Sequence, residues 1–187
     1  MSSSSYFNDQ FLIAMPALQD PNFNRSVTYV CQHNDSGALG ITINRRSELS
    51  VGDVLRQLKV DADGSDWADQ PVLIGGPVHP DRGFVLHSRE GEWNSTYSVN
   101  EQIALTTSKD ILVALAEGTG PRKAILTLGY AGWSSGQLES EMMQNAWLST
   151  EADMSIIFDA PLESRWEQAA DTIGIDIQSM SGLSGHA

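Results

Sequence analysis

The sequence predicts a single α+β domain built on a mixed sheet. Three observations lead there. The chain has 187 residues, 41% hydrophobic and 19% charged, a globular composition long enough for one buried core. Two apolar runs flank the turn sequence Asn34-Asp35-Ser36-Gly37 and read as an early hairpin over 25–46. Later in the chain, strands alternate with segments whose apolar residues recur at helical spacing.

Taken in order, the stretch 11–23 opens as a short apolar strand and stops at Pro16, and Asp20-Pro21 marks a turn. In the strand 25–33, Val27, Tyr29 and Cys31 share one face and Thr28, Val30 and Gln32 the other. The return strand spans 38–46. Ser50 is an N-cap for a helix over 51–58, with Val51, Val54, Leu55 and Leu58 on one side. An acidic loop, 59–70, leads to Val72-Leu73-Ile74 and Phe84-Val85-Leu86, two short strands around a connection rich in turn residues. Further strands are expected at 95–99 and 103–107. Ser108 can cap a helix over 109–118, which carries Ile111, Leu112 and Leu115 and ends at Gly118, Gly120 and Pro121. A buried strand at 123–131 precedes a helix at 137–147, a strand at 154–158, and a last helix at 162–174 with Pro161 at its first turn. The domain is expected over 7–175, between a disordered tail at 1–6 and a mobile, Ser- and Gly-rich tail at 176–187. There is no internal repeat and no linker.

Charge narrows the functions. The chain has 24 acidic and 11 basic residues, a net of -13. DNA affinity comes largely from Lys and Arg neutralising phosphates, and no basic stretch is longer than Arg45-Arg46. Direct DNA binding is therefore disfavoured. No apolar run approaches the roughly 20 residues of a membrane span, so no membrane partner is expected. The N-terminus lacks the basic and apolar regions of a secretory signal. With a single cysteine, no internal disulfide is possible. These features point to the cytoplasm.

Several motifs invite a catalytic reading and fail on context. The segment 132–136, Gly-Trp-Ser-Ser-Gly, matches a nucleophile elbow with Ser134 in the serine slot. Only His186 follows it, and no oxyanion segment precedes it, so Ser134 reads as a helix cap with Gln137 three residues on. Gly118 to Ala124 has a phosphate-loop look but runs from helix to strand, the reverse of what such loops need. Cys31, His33, His79 and His87 lack the paired spacing of a zinc site, so no metal is expected, and no cofactor. Cys31 and His33 are the candidates for thiol chemistry, as an enzyme or redox sensor; a buried apolar role for Cys31 is the simpler account. Trp133 and Trp147 read as packing anchors.

Four segments, 11–45, 75–88, 106–112 and 129–141, together resemble the AlgH/YqgE family. The family pattern includes Cys31 and His33, Asn44-Arg45, Gly75-Gly76-Pro77 and Arg82-Gly83-Phe84, and runs through Gly132, Trp133, Gly136, Gln137, Leu138 and Glu139 without requiring serine between. The resemblance implies a bifurcated mixed sheet that curls into a pseudo-barrel with flanking helices. It implies a bacterial protein of a family labelled transcriptional regulators, with no established reaction and no agreed active site. The expected function is regulatory binding without catalysis. The ligand is a small anion or a protein partner, held by Asn44, Arg45, Gly75, Gly76, Pro77 and Arg82 at strand ends, where loops carry function. Direct action on DNA and thiol chemistry at Cys31 are the alternatives.

Overall fold

A computed structural model describes residues 6–183. Within them lie ten strands: β1 (Gln10–Ala14), β2 (Val27–Asn34), β3 (Gly37–Thr42), β4 (Arg46–Ser50), β5 (Pro71–Ile74), β6 (Val78–Ser88), β7 (Thr96–Ser98), β8 (Ile103–Thr106), β9 (Ala124–Ser134) and β10 (Trp147–Glu151). The helices are α1 (Val51–Gln57), α2 (Lys109–Glu117), α3 (Gln137–Met143), α4 (Met154–Phe158), α5 (Arg165–Asp171) and α6 (Ile177–Leu183). The strands form one sheet in the order β10-β1-β2-β3-β9-β6-β8-β7, with β4 joined through β5 to β9. Every pairing is antiparallel except β5 with β9, so the sheet is mixed and curls into a half-barrel.

The sheet divides along β9. Its first half, around Thr127 and Leu128, has β6 on one side and β5 on the other. Its second half, from Ala131 to Ser134, has β3 in the place that β5 held. This is the bifurcation. Side-chain alternation sorts the core onto the two faces. Phe11 and Ile13 of β1, with Phe84 and Leu86 of β6, pack under α4, α5 and α6. Leu12 and Ala14 point the other way, toward Trp133, Trp147 and Leu138 of α3. Val85 and Leu126 meet Leu55 of α1 and Ile111 and Leu115 of α2 on that second face.

The early elements follow the local signals. Ser50 caps α1 in a reciprocal box: its hydroxyl accepts from Asp53 N (3.1 Å) and its own N–H donates to Asp53 Oδ2 (2.9 Å). Gly118 closes α2 with φ +79°.

The later segments need correction. Residues 154–158 are not a strand but the helix α4, with Asp153 capping Ser155 N at 2.8 Å and Ile156 and Ile157 buried. A short apolar run does not distinguish the two by periodicity. The strand position beside β1 is filled instead by β10, which takes Trp147 out of the expected helix 137–147. Asn145, at φ +59°, turns the chain between α3 and β10. Ser134 is not the cap of α3; that position is Gly136, and Ser134 lies on the extended β9, where its N–H donates to Gln137 Oε1 at 2.9 Å. The segment expected as a mobile tail from 176 begins with α6, whose Ile177 is buried in the core. At the other end, Tyr6 donates through its hydroxyl to Asp35. Residues 1–5 and 184–187, including His186, lie outside the described residues.

Candidate functional site

The site begins at the fork. Gly75 N donates to Leu128 O and Gly75 O accepts from Thr42 N, both at 2.8 Å, so this residue ties β5 to β9 and to the end of β3. The backbones close in further at Gly76 and Gly129. A Cβ on Gly76 would stand 2.1 Å from the carbonyl carbon of Tyr130, and one on Gly129, which sits at φ +76°, would stand 2.3 Å from Gly76 O. The Gly75-Gly76 pair thus permits strand divergence, with no room for side chains.

Two other candidates are committed to the scaffold. Asn44 Oδ1 accepts from Val27 N at 3.0 Å and its Nδ2 donates to Arg25 O at 2.9 Å, closing the loop before β2. Arg45 donates to the carbonyls of Pro21 (2.5 Å) and Asn24 (2.8 Å) and to Asn24 Oδ1 (2.8 Å). Partial burial lowers its pKa, with Asp20 opposing. Both residues clamp the loop over 20–25.

Pro77 is exposed and directs the chain into the first part of β6, whose pairing with β9 is interrupted between Val78 and Gly83. In that interruption His79 takes φ +46°, a left-handed conformation that histidine adopts more readily than most side chains. Its ring lies 5.9 Å from that of Tyr130, which meets Phe84 edge-on at 5.6 Å. Arg82 extends over Phe84, with Cζ 5.6 Å from the ring centroid. Arg82 makes no hydrogen bond or ion pair with any described residue. Beside this aromatic row opens a cleft of about 420 Å³, lined by Gln32, Asn34, Leu39, Val78, Tyr130 and Gly132. Of the six candidates, Arg82 has the uncommitted polar side chain; it lies over Phe84, one ring from Tyr130, and is not itself part of the cleft lining. Tyr130, His79 and Gln32 were not among the binding candidates in the sequence, although all three lie in segments quoted for the resemblance. The combination can hold an anion on Arg82 and a planar or apolar group against Tyr130. His79 makes no hydrogen bond to a hydroxyl or carboxylate among the described residues, so no activated nucleophile is assembled beside the cleft.

Cys31 and His33 are not brought together. The pairing of β2 with β3 shifts register between Val30 and Gln32, so a bulge at Cys31 breaks the alternation. Cys31 is buried among Phe11, Tyr29 and Ile41, where burial, and next Asp9, push its thiol pKa well up. His33 faces the opposite side. Its Nδ1 accepts from Phe7 N at 2.9 Å, which leaves the proton of the neutral ring on Nε2, donated to Glu139 Oε1 at 2.9 Å. That bond is the first cause of the depressed Glu139 pKa. His87 is buried elsewhere, between Ser88 O and Thr106 Oγ1, each at 2.7 Å. Among the described residues, no three His, Cys, Asp or Glu side chains converge as metal ligands would.

Comparison with known proteins agrees with this architecture. The chain is 51% identical over 185 residues to a UPF0301 protein of Methylococcus capsulatus, covering 99% of this chain and 98% of that one. A UPF0301 protein of Thioalkalivibrio sulfidiphilus is 51% identical over 187 residues, with both chains fully covered. The solution structure of the AlgH protein from Pseudomonas aeruginosa superposes with a TM-score of 0.80 at 47% identity, covering 100% of this chain and 99% of that one. A crystal structure from Corynebacterium diphtheriae, at 19% identity and TM-score 0.73 over 97% of this chain and 94% of the other, shares the fold. The model of the family described as AlgH-like matches residues 11–178; with its bifurcated sheet and its sequence in agreement over nearly their whole extent, the chain belongs to the AlgH-like family.

Proposed function

We propose that the protein is a regulatory binding protein whose cleft at the sheet fork takes a small anionic ligand with a planar or apolar body and performs no chemistry on it. The observation that carries this is Arg82, an exposed guanidinium held over Phe84 and bonded to no described polar group, at the end of the row Phe84–Tyr130–His79. A fixed, uncommitted cation beside aromatic faces and a cleft suits recognition of an anion that carries a ring. The single cysteine supports a cytoplasmic setting; among the described residues no helix is long and apolar enough to cross a membrane.

The test is an amide NMR titration at low salt with nucleotides, phosphorylated metabolites and short duplex DNA. Binding should shift Gln32, Val78, Arg82 and Tyr130, and Arg82→Ala should weaken it at least about tenfold, the equivalent of about 1.4 kcal/mol. A spectrum silent across the panel, or shifts indifferent to Arg82→Ala, would overturn the reading and direct attention to a protein partner.

A further inference from the structure

The buried side of α5 carries an arginine. Arg165 is 5% exposed. Its Nε donates to Ala160 O at 2.9 Å and its Nη1 to Ile43 O at 2.6 Å. Nη2 makes no hydrogen bond, and no described carboxylate forms an ion pair with the guanidinium. Burial lowers its pKa to about 10, and Asp159, the acid that opposes the shift, has its Oδ1 taken by Lys123 Nζ at 2.5 Å. A buried cation whose acid is already engaged by a second cation is costly to keep, and proteins resolve that cost by pairing.

The cavity against Arg165 is suited to supply the pair. It measures about 400 Å³ and is separate from the cleft at the fork. Arg122 and Lys123 stand on its rim with Asp159, so three cations face one carboxylate in a chain of net charge -13. Leu73, Leu115 and Phe158 form its apolar wall. The rim offers no spare backbone donors of the kind a phosphate cradle needs, since Arg122 N already donates to Glu90 and Lys123 N to Ser88. With Lys123 paired to Asp159 and Arg122 in the field of Glu90, Arg165 carries the remaining charge, which matches a monoanion.

We propose that this cavity is a second binding site, for a small organic acid whose carboxylate pairs with Arg165 and whose apolar body rests on Leu73, Leu115 and Phe158. A guanidinium edge matches a carboxylate in geometry, and the cavity has the volume of a small-molecule site.

The experiment is an amide NMR titration of the full chain with hexanoate and benzoate, with hexanol and inorganic phosphate as controls. Hexanoate and benzoate should shift amides within 122–125 and 158–165, while hexanol and phosphate leave them still. The double variant Arg122→Gln with Lys123→Gln, which alters only exposed rim residues and frees Asp159 to compete, should weaken binding about tenfold. Arg165→Gln should abolish it, and the exposed double variant keeps the test valid if that protein folds poorly. Equal shifts with hexanol, equal or stronger binding of phosphate, or indifference to the double variant would overturn the proposal. Shifts confined to Gln32, Arg82 and Tyr130 would also overturn it while supporting the cleft at the fork.

Discussion

Cys31 and His33 are two positions apart and look onto opposite faces of the sheet, because one inserted residue in β2 reverses the alternation after it. The pattern that groups them on one face assumes an unbroken strand, and nothing local in Val30-Cys31-Gln32 announces the bulge. The consequence is measurable. Burial pushes the Cys31 thiol pKa up, with Asp9 adding to it, so the folded protein holds a neutral thiol at neutral pH. Alkylation of Cys31 should be slow in the native state and should accelerate only under unfolding conditions; rapid native labelling would restore it as a reactive thiol. A raised folded-state pKa binds the proton more tightly than the unfolded chain does. Its contribution is therefore complete below the ordinary thiol range and is lost as pH rises through and above that range. Gly76 makes the second prediction at this scale. The Cβ of alanine would stand 2.1 Å from the Tyr130 carbonyl carbon, and backbone on both sides cannot yield cheaply. Gly76→Ala should lower stability by about 2–4 kcal/mol, read from the denaturant midpoint, and should disturb the amides of Gly129 and Tyr130 first.

The elements whose determinants are short-range were legible, and the rest were not. The hairpin of β2 and β3, the capping of α1 by Ser50 and the end of α2 at Gly118 each follow from a few adjacent residues. Ser50→Ala should cost about 1 kcal/mol. Asp53 has its pKa lowered first by the Ser50 N–H and then by Arg56; its support for the cap is present above its ordinary titration range and fades as pH falls through the depressed value. The exchange between residues 147–151 and 154–158 was not legible, because the choice of which apolar run joins β1 is made by long-range pairing. The end of the domain hid for another reason. A segment rich in Ser and Gly looks unstructured by composition, yet Ile177 supplies one apolar side chain that fits beneath the sheet with Phe11 and Trp166. Ile177→Ala should therefore destabilise the whole domain by about 2–4 kcal/mol, whereas a mobile tail would leave the denaturation curve unmoved. Of the candidate site, Arg82 is one of six residues the sequence named; that its guanidinium is uncommitted and lies over Phe84 shows only in the structure. The structural employment of Asn44, Arg45 and the glycine pair was not legible, because it depends on the loop 20–25 and on β9, which are distant in sequence. Arg165 carries no motif at all; only its burial beside a cavity marks it.

At the scale of the molecule, charge and topology together decide what kind of partner can approach. The net charge of -13 sets a repulsive field for any polyanion. Among the described residues only Arg56 and Lys123 are ion-paired, with Asp53 and Asp159, and the other basic residues are dispersed along the chain, never more than two in a row. A duplex presents a phosphate charge about every 1.7 Å of its axis and is held by several Lys or Arg side chains at once. Single basic residues dispersed along an acidic chain suit small anions better than the concentrated patch that tracks a backbone. The helices α1 and α2 are separated in the chain by β5 to β8 and lie against the sheet with Leu55, Ile111 and Leu115 buried, so these two do not make a helix-turn-helix pair. Purified protein mixed with duplex DNA should accordingly give no gel shift from about 50 to about 200 mM salt, where a DNA-binding protein loses about 0.9 logarithmic units of affinity per tenfold in salt for each phosphate it neutralises. A sequence-selective shift that weakens along such a slope would show that the acidic field is overcome by a surface not apparent in the described residues, and would make direct action on DNA the leading account of this fold.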